Sequence, residues 1–125
     1  DENGEKLTKK RKWDAGKFWG YQVEIDPSSR SWSGSVYEEG GRGFLHTPGI
    51  NDKVKSAFKQ LEWNHFRIIV YKDHFECWVN NIQTADIRDN LVSEGYIALQ
   101  LHGIGNNKLK ENKKIRWKNI ILEPL

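Results

Sequence analysis

Three polar side chains alternate along YQVEIDP: Gln22, Glu24 and Asp26. In an extended strand, residues two apart share a face, so the two carboxylates would stand about 7 Å apart. That separation suits a carboxylate pair doing general acid and base work on a sugar. A solvent-facing strand is the plainer reading of the same pattern. A second polar pair lies in GYIALQLHG, residues 95–103, where Ile97, Leu99 and Leu101 point one way and Ala98, Gln100 and His102 the other. Glutamine brings a donor–acceptor amide, and histidine an imidazole that titrates near neutral pH. Solvent and a binding cleft both fit. Glu38, Glu39 and Arg42 sit in VYEEGGRG, where Gly40, Gly41 and Gly43 allow a tight turn or close approach of backbone to ligand. Such a segment serves equally as a lid over a cleft or as a surface turn.

Other chemistries leave no comparable trace. His46, His65 and His74 show no H-x-H or HExxH spacing, so no metal site is expected, and no cofactor. Nucleophile-elbow, P-loop and dinucleotide fingerprints do not occur. Cys77, in the strand-like HFECWVNN, reads as a buried, inert thiol, and a single cysteine excludes an intramolecular disulfide. Six tryptophans are many for 125 residues. Most should be core, Trp63 and Trp78 among them, while one or two could line a sugar platform.

The elements that must position these groups are mostly strands. KFWGYQVEIDP reads as one, ended by Pro27, with Tyr21, Val23 and Ile25 as its apolar set. A Ser- and Gly-rich loop follows, with one short strand around Gly34 to Tyr37. Residues 52–59 form the single short helix, capped by Asp52, with Val54, Ala57 and Phe58 facing inward. Strands are expected from Trp63 to Tyr71, over HFECWVNN, over residues 82–88, over GYIALQLHG and over IRWKNIILEPL, with turns at Lys72–Asp73 and Asn80–Asn81. Short strands with turn chemistry between them spell an all-β antiparallel sandwich or barrel.

The length suits one domain, and 37% hydrophobic with 30% charged residues is a folding composition. Two segments are expected: a basic loop over residues 1–16 and a β-sandwich domain over 17–125. The formal net charge of +3 comes from lysine and arginine gathered in the first twelve residues and again between Lys108 and Lys118. Solvated loops or edge protection explain such runs, and without a nucleic-acid-binding signature no nucleic-acid partner is expected. No apolar run approaches membrane-spanning length, and no signal peptide is visible.

GYQVEIDPSSRSWSGSVYEEGGRGFL, EWNHFRIIVYKDHFECWVNN, GYIALQLHG and IRWKNIILEPL, in that order, resemble the 3-keto-disaccharide hydrolase domain family, once called a domain of unknown function. The resemblance runs from about Lys17 to Leu125. It implies a concanavalin A-like jelly roll and work on carbohydrate. The implied activity is hydrolysis or elimination on glycosides already oxidised at the sugar 3-position, in a periplasmic or extracellular setting. The alternative is a non-catalytic carbohydrate-binding module of a larger glycosidase-like protein. Mapped onto this chain, Glu24 or Asp26 would be acid or base, and His102 a base or enolate donor. Gln22, Tyr37, Glu38, Arg42 and Gln100 would contact substrate. Family members carry further strands ahead of the GYQVEID block. Without them the jelly roll is expected to be incomplete and to self-associate through exposed edges.

Overall fold

The computed structural model describes residues 16–125. The basic loop expected at the N-terminus lies outside the described residues, apart from Gly16. Among the described residues, those up to Ser93 form one compact unit, and Glu94–Leu125 form a second.

The first unit is built from two three-stranded antiparallel meanders. One sheet contains β1 (Gly20–Val23), β2 (Val36–Glu39) and β3 (Gly43–His46), in that spatial order. The other contains β4 (Phe66–Tyr71), β5 (His74–Val79) and β6 (Ile82–Arg88). The expected all-β antiparallel sandwich is therefore the observed fold.

Alternation sets the faces. Along β5, Phe75, Cys77 and Val79 are buried while His74, Glu76 and Trp78 turn outward. Two-residue turns join the strands of this sheet. Lys72 has φ 57°, and Asn80 and Asn81 have φ 49° and 66°. Asparagine tolerates this left-handed conformation, which matches the twist of the flanking strands. The core between the sheets is Val36, Cys77 and Ala85, with Val23, Leu45, Phe66 and Ile87 packed against it. As expected, Cys77 is buried and unpaired, and burial pushes its thiol up despite the Thr84 hydroxyl beside it. Just before β2, Gly34 has φ +83° and lies so close to the second sheet that a Cβ would run into Thr84 and Val79.

Several elements differ from expectation. β1 ends at Val23, although Glu24 prolongs the pairing through Glu24 N–H to Ser35 O at 2.9 Å and Gly34 N–H to Glu24 O at 2.8 Å. β3 is an added strand in what reads as a glycine loop. It forms because Phe44 and Gly43 pair with Tyr37 and Glu38 of β2. The helix α1 spans only Asp52–Lys55, and its cap is Asn51, whose side-chain oxygen accepts from Val54 N–H; Asp52 falls in the first turn.

The largest difference lies in the second unit. The strands expected over 95–103 and 115–125 are not present; the one regular element there is a 3-10 turn, Lys108–Lys110, capped by Asn107. Alternation favours an extended backbone, but a strand exists only where a neighbour completes its ladder. Here no ladder forms among the described residues, and Ile97, Leu99 and Leu101 are exposed. β4 shows a related effect. Ile68 and Val70 share the face of the buried Cys77 and Phe75 yet remain 49% and 47% exposed.

Candidate functional site

Of the residues expected at a site, Gln22 and Tyr37 lie on the face of the first sheet that turns away from the core, with Glu24 and Asp26 just beyond the end of β1. Gln22 on β1 stands opposite Tyr37 on β2, which stands opposite Phe44 on β3. Because Val23 and Val36 occupy the inner face, these three point outward. Tyr37 and Phe44 meet edge to face, with ring centroids 4.9 Å apart. Trp32 closes on Phe44 in the same way at 4.8 Å. Arg30 lies over both rings, 4.5 Å from Trp32 and 5.3 Å from Phe44.

Glu24 is linked to this aromatic cluster through Arg30. Its carboxylate accepts from the Gln22 amide at 2.9 Å and lies 3.7 Å from the Arg30 guanidinium, with the side chain 20% exposed. Asp26 is more deeply placed and more fully engaged. It accepts from Ser28 N–H at 3.0 Å, Arg30 Nε at 2.7 Å and Trp32 N–H at 3.3 Å. Burial by itself would raise its pKa; the hydrogen bonds from Ser28, Arg30 and Trp32 outweigh that and hold it below the usual carboxylate range. Asp26 thus ties the PSSRSW loop into a turn and anchors Arg30 beside Glu24.

Glu38 and Arg42 belong to the opposite, core-facing side, at its rim. Glu38 is fully buried and ion-paired with Arg42. Any side chain at Gly41 would strike the Glu38 carboxylate, which accounts for the glycine there. Arg42 also forms a two-pronged bridge to Asp89, with distances of 2.7 and 2.9 Å, and Tyr21 donates its hydroxyl to the same carboxylate. Leu91 N–H donates to Tyr21 Oη at 3.0 Å. This chain of contacts joins the β2–β3 turn to the end of β6. Hydrogen bonds from Arg42 bring Asp89 down to about 2 despite its partial burial, and the Tyr21 phenol is raised, mainly by burial and then by Asp89. Gln100 and His102 lie in the second unit, both exposed.

Arg30, Trp32, Phe44, Tyr21 and Asp89 are the participants that sequence reasoning did not single out. The Arg-Ser-Trp run after Pro27 was the available signal, since an arginine two residues from a tryptophan can stack on it.

No helix among the described residues is long and apolar enough to cross a membrane. No curated protein matches the chain. Residues 6–123, nearly the whole chain, match the model of the 3-keto-alpha-glucoside-1,2-lyase-like domain, and the chain belongs to that family.

Proposed function

We propose that this protein acts on 3-keto-glycosides, removing the C2 proton and eliminating the group at the anomeric carbon. The observation that carries this reading is Glu24, a half-buried carboxylate held between an amide and a guanidinium that itself lies over two aromatic rings. Aromatic faces receive the C–H face of a pyranose, and polar neighbours orient its hydroxyls.

A 3-keto group acidifies the C2–H bond. Glu24 takes that proton as general base, and the C2–H electron pair moves into the enolate. The enolate oxygen needs a donor or cation, and Arg30 is poised next to Glu24 to supply one. Re-forming the ketone expels the C1–O bond's electron pair onto the leaving oxygen, which takes a proton from a general acid. Water can then add across the new C1–C2 double bond. Asp26 serves as a positioning residue, since its carboxylate is spent on Arg30 and the turn. Gln22 and Tyr37 contact hydroxyls. By the family likeness we assign His102 as a base or enolate donor and Gln100 to a substrate hydroxyl. Glu38 and Arg42, on the opposite side of the sheet, hold the glycine turn rather than touch substrate. By the same family likeness we assign the protein to the periplasm or the extracellular space.

The aromatic cluster alone would also serve a binding module, and turnover separates the two readings. The protein is incubated with a 3-keto-glucoside bearing a chromogenic aglycone. Aglycone release that Glu24→Gln abolishes, with ligand binding retained, supports elimination. Binding without release supports the module. Full activity in both Glu24→Gln and His102→Ala refutes the assigned roles.

A further inference from the structure

We propose that the outer face of the second sheet carries a site for a divalent first-row transition metal, formed by His74, Glu76 and Asp86. His74 and Glu76 are two residues apart on β5 and point the same way, while Asp86 on β6 stands directly opposite Glu76 in the ladder. One donor atom from each lies within 4.8 Å of the other two. His74 Nε2 is 2.7 Å from Asp86 Oδ1. Donors bound at about 2.1 Å to one ion sit about 3 to 3.5 Å apart in octahedral or tetrahedral arrangements, so small rotamer changes bring this triangle to bonding distance.

The backbone beneath the three groups is firmly held. β5 is the central strand, hydrogen-bonded on both sides, and its inner face is pinned by buried Phe75, Cys77 and Val79. The Gln83 amide donates to Glu76 Oε1 at 3.4 Å, a weak contact that steers that carboxylate. Arg88 pairs in register with His74, but its guanidinium is engaged by Asp73 at 3.0 Å.

One imidazole nitrogen and two carboxylate oxygens suit zinc, manganese, cobalt or ferrous iron. Calcium prefers six to eight oxygens, and thiophilic ions prefer sulfur. Three protein ligands leave positions for water or an oxygen-bearing ligand. Asp86 also lines a cavity of about 250 Å³ together with His46, Asn51 and Gln83, which offers such a ligand room beside the ion. The site is separate from the Glu24 face and does not depend on the glycoside reading. The spacing of histidines along the chain could not reveal it, because the third ligand comes from the neighbouring strand.

Calorimetric titration of the chelator-stripped full chain with Zn²⁺, Mn²⁺ and Co²⁺ tests the site, and Co²⁺ adds a visible absorption band reporting its ligands. The expected result is one ion per chain, with an affinity on the order of micromolar or tighter. His74→Gln and Asp86→Asn should each weaken binding at least about tenfold with unchanged circular dichroism, while His65→Gln should not. Failure of all three ions to bind, or binding indifferent to His74→Gln and Asp86→Asn, overturns the proposal.

Discussion

Replacing Asp89 by asparagine removes one charge from the contact chain that ties the β2–β3 turn to the end of β6, while keeping the side chain's shape. In the native protein the Arg42 guanidinium grips both Asp89 oxygens, and the Tyr21 hydroxyl adds a third hydrogen bond. These hold the carboxyl at about 2, against an ordinary 3.8. At full value the difference corresponds to roughly 2.5 kcal/mol of folding free energy. Arg42 is 42% exposed, so solvent screening reduces this to about 1 kcal/mol. The sign follows from the direction. A carboxyl whose pKa is lower folded than unfolded contributes its full stability above about pH 4, and that contribution fades as pH falls towards 2. Urea unfolding of the native chain and Asp89→Asn, at steps from pH 7 to pH 2, isolates this contribution as the difference between two curves. Asp26, which is also depressed, titrates in both proteins and cancels. The variant should be less stable by about 1 kcal/mol at pH 7, and the two curves should converge near pH 2. A constant gap across the whole range would mean that the charge on Asp89 contributes nothing and that only packing was altered.

Gly34→Ala should cost about 2 to 4 kcal/mol in chemical denaturation, from left-handed strain at φ +83° and from the clash with Thr84 and Val79; a loss under 0.5 kcal/mol would show that the sheets can separate there at little cost. Ser35→Ala should leave thermal stability unchanged or raise it, because the fully buried Ser35 hydroxyl has no hydrogen-bond partner among the described residues; a fall of several degrees would reveal a partner.

Legibility varied with the kind of signal. In HFECWVNNIQTADIR the Asn80–Asn81 turn and the boundaries of residues 82–88 match the structure, whereas Trp78, expected in the core with Trp63, turns outward because Cys77 takes the inner face, and Trp63 is 55% exposed. The outward set on YQVEIDP was also readable, since Gln22 and Glu24 do meet. Less readable was the separate fate of Asp26. Its carboxylate is drawn into a local turn by three donors that follow it within six residues. A two-residue period carries no information about such competition. GYIALQLHG shows the converse. Its alternation is as clean as that of β5, but a ladder partner is a property of another segment, and no pattern within nine residues can state whether one is in place.

The sequence by itself determined the all-β class, the hairpin turns and the family, because these depend on residue type and on spacing along the chain. Tertiary structure decided which side chains became neighbours. It put Arg30 over Trp32 and Phe44, turned Arg42 towards Asp89 forty-seven residues away, and set Asp86 opposite Glu76. Such contacts arise from strand register and from the packing of one sheet on another, which bring together residues that have no fixed relation in sequence.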